Sequence, residues 1–249
     1  MDIEVLIECD SCKSEVDIQL YNEKSGLCND CTKIFILSID IGIQHLAMVL
    51  SSASTKYEFK EIVWMELVDI TVFTCDKNCK LHHDKTFADW MLHILEKYFN
   101  IFDQATHILI ERQPPQGLVV IEQILFGSWR DKSILISPNS VHKHFSIGDI
   151  DYENRKIASV NISKKYIHSE TLQTQLNNCD RMHDISDCIL FTIFWLSKKK
   201  EQLDIQSLIK KREHAFQKVN QKLGMSLDDF FDMYRYIPTD IFVQNKPSM

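Results

Sequence analysis

The sequence predicts an α/β fold, a mixed sheet flanked by helices, with a small metal-built module in front of it. Three observations carry this. Apolar β-branched runs and longer amphipathic stretches follow one another in the order β-β-β-α-β-α-β-α-α, a layout neither all-α nor all-β. Six glycines and five prolines punctuate 249 residues, so long elements are expected and a disordered chain is argued against. Two CxxC pairs crowd into the first 33 residues, ahead of the apolar texture. Hydrophobic residues at 45% and charged residues at 25% give an ordinary globular composition. The boundaries fall at 1–33 for the cysteine module, 34–200 for the sheet domain and 201–249 for a helical extension.

Residues 34–43, IFILSIDIGI, read as a buried strand because the run is apolar and β-branched throughout. HLAMVLS (45–51) and FKEIVWME (59–66) read as two more, and the three in succession suggest an antiparallel meander. Residues 67–74 are mixed, and 75–83 are polar and read as a loop or insertion. Residues 84–102 predict one amphipathic helix, with Phe87, Trp90, Met91, Ile94, Leu95, Tyr98 and Phe102 on one broad face. THILIER (106–112) is a strand broken by PPQG. A helix over 117–129 follows, apolar enough to leave both a buried helix and a subunit contact open. A short strand over 133–138 ends at Pro138, and helices cover about 153–168 and 181–197. The tail carries helical patterns at 201–223 and 226–236.

No run approaches the roughly 18 apolar residues of a membrane span. The acidic start, MDIEVLIECDS, lacks the basic region of a secretory leader. An intracellular, reducing compartment is expected, where eight cysteines argue for metal or free thiols before disulfides. Cys9-x2-Cys12 and Cys28-x2-Cys31, 15 residues apart, have the spacing of a tetrahedral four-cysteine zinc site. The segment between them can fold as a hairpin that joins the two turns. A module this short has little core, so structural zinc would supply much of its folding energy. Cys75, Cys79, His82 and His83 are candidates for a second zinc site. Cys179 and Cys188 read as structural thiols.

The net charge is −7, which at first sight disfavours a nucleic-acid partner. Its distribution says otherwise. Residues 1–33 hold 3 basic and 8 acidic groups, whereas the rest holds 25 basic and 27 acidic. Residues 154–165 carry four positive charges and no negative one, and 198–218 carry seven against three. Such patches can contact phosphates or can be solvated helix faces. The acidic module fits a protein partner better than DNA.

Three acidic positions are costly unless used. Asp40 sits within an apolar strand, Glu111 ends another, and Asp184 and Asp187 share one face of an apolar helix at i and i+3. Taken singly, each can be a turn acceptor, an Arg112 partner or a helix cap. Together they can converge, and four carboxylates suit two hard divalent cations, magnesium or manganese. Two such ions support phosphodiester hydrolysis. His183 beside Asp184 is a candidate for proton transfer or phosphate orientation. No phosphate-binding glycine loop and no GxSxG is present.

The runs SIDIGIQHLA (38–47), IERQ (110–113) and HDISD (183–187) resemble the three motifs of RuvC-type Holliday junction resolvases. The likeness is to the branch in poxviruses and other large DNA viruses, with fungal mitochondrial resolvases as relatives. YENRKIASV (152–160) resembles the basic helix before that branch's last motif. The resemblance spans about 34–200. It implies an RNase H-like, five-stranded mixed sheet whose first three strands are antiparallel, with helices on both faces. It also implies a homodimer that nicks a four-way DNA junction symmetrically, in viral genome processing and at the site of viral genome replication. Asp40, Glu111, Asp184 and Asp187 become ligands of two magnesium or manganese ions. Arg155, Lys156, Lys164 and Lys165 become phosphate-binding candidates, with Lys156 a catalytic one near the scissile group. Arg112 and Gln113 are placed at the site's edge. Cys188 stands where the family often has alanine, and Pro114-Pro115 bends the loop after the second motif. The cysteine module and the tail lie outside the likeness.

The leading expectation is therefore a metal-dependent endonuclease for branched DNA. The alternatives are an RNase H-like nuclease with another substrate, and a zinc-ribbon transcription-associated protein that uses the fold as a scaffold.

Overall fold

In the computed structural model the described residues are 6–8, 15–17, 21–22, 27–28, 32–72, 75, 79, 81 and 86–223. The chain divides into two compact units, Met1–Lys200 and Glu201–Met249.

The first unit begins with two small antiparallel pairs. β1 (Leu6–Glu8) pairs with β2 (Glu15–Asp17), and β3 (Tyr21–Asn22) pairs with β4 (Leu27–Cys28). The single hairpin expected between the CxxC pairs is thus two hairpins, the first folding back onto residues before Cys9. Cys9, Cys12, Cys31 and the side chain of Cys28 lie outside the described residues, and the four-cysteine zinc reading with them.

The main sheet has five strands in the order β7-β6-β5-β8-β9. β5 (Lys33–Asp40), β6 (Leu46–Ser54) and β7 (Phe59–Val68) form the antiparallel meander. β8 (His107–Glu111) runs parallel to β5, and β9 (Ser133–Ile136) runs parallel to β8. All nine residues of β6 are buried, which explains why Leu46–Leu50 is apolar without alternation and why the rest of the strand carries only small side chains. Strand period sorts the two faces. Leu37 and Ile39 join Met48, Leu50, Ile108 and Ile110 under the helices α1 (Phe87–Lys97), α2 (Phe99–Gln104) and α3 (Val119–Ser128). Ile36 and Leu109 face the other way, packing with Leu190, Phe191 and Trp195 of α7 (Met182–Leu223). Asp40 and Glu111 fall on that second face by the same alternation.

Four elements depart from the sequence reading. The helix expected over 84–102 is two, because Tyr98 leaves helical geometry (φ −103°, ψ 16°) and its hydroxyl donates to Glu66 of β7 at 2.6 Å. Pro138 does end the strand region, and it also opens α4 (Pro138–His144), where its fixed φ suits a first helical position. The expected 153–168 helix is α5 (Tyr152–Ser163), capped by Asp151, followed by a 3-10 turn at Lys164–Tyr166; α6 (Glu170–Asn177) then follows, capped by Ser169. The helices expected at 181–197 and 201–223 are one 42-residue helix, since neither glycine nor proline interrupts them. The 226–236 reading lies outside the described residues. No helix among the described residues is long and apolar enough to cross a membrane.

Candidate active site

Ile39 of β5 pairs with Ile110 of β8 in the parallel register. Asp40 and Glu111, the next residues, therefore stand side by side at the carboxyl ends of adjacent strands. Asp184 and Asp187 reach them from the first turns of α7. Two buried contacts fix that helix against the strands: the Ser38 and Thr192 hydroxyls lie 2.7 Å apart, and the Cys188 thiol donates to the Ala47 carbonyl at 3.3 Å. A third contact ties α5 to α7, where the Ser163 hydroxyl donates to Ser186 at 2.8 Å.

These supports leave a cavity of about 210 Å³ that all four predicted carboxylates line. Arg155, Lys156, Tyr152 and Ser159 of α5 share it, at the i, i+3, i+4, i+7 spacing of one helix face. His142 and His183 complete its polar wall. An adjoining groove of about 440 Å³ shares Asp40 and Asp184 and continues along Gly42, Gln44, His45, Thr71 and Arg181. Gly42 is required at that bend, because a Cβ there would meet the His45 carbonyl oxygen at 2.6 Å.

The carboxylates are held unequally. Glu111 accepts from the Ile41 amide at 3.2 Å and from the Gln113 side chain at 2.5 Å. Gln113 is itself fixed: its side-chain carbonyl accepts from the Leu118 amide at 3.1 Å, and its backbone amide donates to Glu122 at 2.6 Å. Asp184 is gripped by Arg181, Nε at 2.9 Å and Nη2 at 3.3 Å. His183 Nε2 lies 3.1 Å from Asp184 but outside hydrogen-bond geometry, so this buried nitrogen makes no hydrogen bond. Its nearest charged neighbour is the Asp184 carboxylate.

Burial pushes the Asp40 carboxyl well up, reinforced by Glu111, Asp187 and Asp184. Glu111 is raised by burial too, against the pull of its hydrogen bonds to Asp40, Ile41 and Gln113. Asp40 and Glu111 influence each other's titration, and the nearby Glu111 charge helps to raise Asp40. Asp187 is pushed up to about 6, by burial first and by Asp184 and Glu111 after it, with Ser159 and Arg155 opposing. His183 is lowered by burial.

A site that takes up protons to stand its own crowding is one that a cation can occupy in their place. The four carboxylates are spread around the cavity: among the described residues, no three of them bring oxygens within 4.8 Å of one another. Ions that keep several waters and take one or two protein carboxylates each, as magnesium does, need no tighter cluster.

Of the remaining predicted residues, Arg112, Lys164 and Lys165 lie apart from this centre and Lys156 lines it. Arg112 is exposed at its rim, and its amide pairs with Ile136 of β9. Lys164 and Lys165 are exposed on the 3-10 turn and line neither the cavity nor the groove. Lys156 faces the cavity with Glu153 at 3.5 Å and the Tyr152 ring at 4.0 Å. Tyr152, Ser159, His142, Arg181 and Glu122 belong to the site without standing out in the sequence. The helical spacing of Tyr152 and Ser159 with Arg155 and Lys156 is the readable signal; Glu122, buried in an apolar helix, carries the same mark as the four ligand candidates.

Comparison with known proteins gives a family and a fold. The family model of the poxvirus A22 protein matches residues 34–199. The solved yeast mitochondrial Holliday junction resolvase is similar at 17% identity and a TM-score of 0.51, covering 71% of this chain and 85% of that one. The fowlpox virus resolvase, solved with Holliday junction DNA, is similar at 16% identity and a TM-score of 0.49, covering 66% and 98%. A search of curated proteins finds no match.

Proposed function

The chain belongs to the poxvirus A22 protein family, a family of Holliday junction resolvases, and from that premise we propose that it is a structure-selective endonuclease that cuts four-way DNA junctions. The observation that carries the reading is the convergence of Asp40, Glu111, Asp184 and Asp187 on one cavity that Arg155 and Lys156 also line. Anionic and cationic groups share a space of about 210 Å³, room enough for a phosphodiester.

Two magnesium or manganese ions, held by the four carboxylates, would activate the attacking water and stabilise the leaving oxygen. The protein's own groups do the rest. Gln113 orients the Glu111 carboxylate, and Arg181 orients Asp184. Lys156 and Arg155 hold the scissile phosphate against the ligand side of the cavity. His183, whose ring lines the cavity with Nε2 3.1 Å from Asp184, is placed to accept or pass a proton there. The groove along Gly42, His45 and Thr71 carries the adjacent strand.

A homodimer places two such sites on one junction and accounts for paired nicks by symmetry. The N-terminal module holds zinc through Cys9, Cys12, Cys28 and Cys31 and contacts a protein partner. Lys164 and Lys165 contact junction arms outside the cleavage centre. The work belongs to viral genome processing, where viral DNA is replicated.

The test is cleavage of an end-labelled mobile four-way junction against linear duplex and an RNA–DNA hybrid, with magnesium and with manganese. Paired nicks in the junction alone, lost in Asp40→Asn and Asp187→Asn, are expected. Preference for the hybrid moves the protein to another nuclease class, and inertness toward all three substrates rejects the nuclease reading.

A further inference from the structure

A second cluster lies away from the carboxylates. After β7 the chain passes through Cys75 and Cys79 before entering α1, which carries His93. The Cys79 sulfur stands 3.7 Å from His93 Nε2, and the donor atoms of Cys75, Cys79 and His93 all lie within 4.8 Å of one another. Among the described residues this is the one trio of such donors drawn so close. None of the three lines the cavity or the groove.

The distance, also that of a Cys–His hydrogen bond, suits a zinc ion. Zinc–sulfur bonds of about 2.3 Å and zinc–nitrogen bonds of about 2.0 Å at tetrahedral angles put sulfur and nitrogen about 3.6 Å apart. The separation of Cys79 and His93 is already that edge. Two soft thiolates and an imidazole favour zinc over the hard cations suited to the carboxylates. His93 is rigidly presented, because its neighbours Met91 and Ile94 are buried in the core beneath α1. Sequence spacing alone nominates His82 and His83 for this site; both lie outside the described residues, and the third donor that the fold supplies is His93.

We infer that Cys75, Cys79 and His93 hold a structural zinc ion, with the fourth ligand drawn from His82 or His83, three and four positions after Cys79 in sequence. Zinc binding displaces the two thiol protons and leaves a neutral centre. The ion clips the segment after β7 to the first helix. That segment continues directly from Thr71, which lines the groove, and from Ile70, whose amide donates to the Ile43 carbonyl at 2.9 Å. The clip thus steadies one wall of the groove without entering the reaction.

The experiment measures zinc bound to the full-length chain by mass spectrometry after gel filtration. Because Cys9, Cys12, Cys28 and Cys31 offer a separate site, the informative quantity is a difference. Cys75→Ala/Cys79→Ala should hold one equivalent less than wild type while keeping its far-ultraviolet circular dichroism. Should that variant fail to fold, cobalt replaces it as the probe: in the otherwise intact protein, His93→Cys should shift the cobalt ligand-field bands toward those of a three-sulfur site. His82→Ala/His83→Ala should weaken zinc binding at least tenfold. Equal zinc in wild type and the paired cysteine variant, a cobalt spectrum indifferent to residue 93, or a Cys75–Cys79 disulfide in the zinc-supplied protein would overturn the site. Unchanged affinity in the paired histidine variant would overturn its fourth ligand.

Discussion

Replacing Asp187 by asparagine should stabilise the metal-free protein at neutral pH, although it destroys a proposed ligand. Asp187 is pushed up to about 6, against about 3.9 for an ordinary aspartate. A carboxyl raised by the fold binds its proton more tightly folded than unfolded. Its contribution is therefore favourable below about pH 4 and is lost as pH rises from about 4 to 6. The gap between those two values corresponds to about 3 kcal/mol at pH 7 as an upper bound. The asparagine amide must still be buried beside Ser159 and Arg155, which takes part of that back and leaves about 2 kcal/mol. For a protein of this size that is a rise in melting temperature of about 4–8 °C. The assay is calorimetry of both proteins in magnesium-free buffer without chelator, which leaves thiolate-bound zinc in place. The difference in stability should shrink toward zero near pH 4 and reach its plateau above pH 6. Added magnesium should raise only the wild type and narrow the difference. An asparagine variant that melts below wild type at pH 7.5, or a difference of equal size at both pH values, would refute the account of a charge-crowded site.

The same raised carboxyls should make cleavage at low magnesium climb as pH passes through about 6, with the midpoint moving lower as magnesium is increased; initial rates across a pH series check this. Gln113→Ala removes the amide that orients Glu111 and the acceptor for the Leu118 amide, so manganese affinity or cleavage rate should fall about 10–100-fold, measured by titration and single-turnover kinetics. Lys156→Ala should weaken junction binding and reduce its logarithmic salt dependence by about one, read from binding isotherms at several salt concentrations. Gly42→Ala drives a methyl into the His45 backbone; a loss of about 1–3 kcal/mol in stability is expected by chemical denaturation, with cleavage lowered further than stability alone explains.

The five strands of the main sheet and the four acids set in apolar surroundings are legible in the sequence because each depends on local pattern. Asp40 interrupts an apolar run and Glu111 ends one, and strand alternation then dictates that both face α7. What escapes depends on contacts distant in sequence. The break at Tyr98 arises from a hydroxyl reaching Glu66, 32 residues away, and nothing in the helical pattern of 84–102 announces it. Arg181 is a local exception: it clasps Asp184 from three residues away, and its charge alone does not announce this. Spacing points to the histidines nearest Cys79, whereas α1 brings one from 14 residues further on. Pro138 reads as a terminator alone because a strand stop and a helix start use the same residue.

α7 presents Asp184 and Asp187 to the cavity while Ile185, Cys188 and Ile189 of the same turns are locked into the hydrophobic interior. One rod therefore serves as chassis and as instrument. Shaving volume beneath it, as Ile189→Val would, tilts the acid pair along with the packing. Heat-sensitive alleles of this protein should consequently cluster at greasy positions far from any phosphate, and extra magnesium in the reaction should rescue them in part.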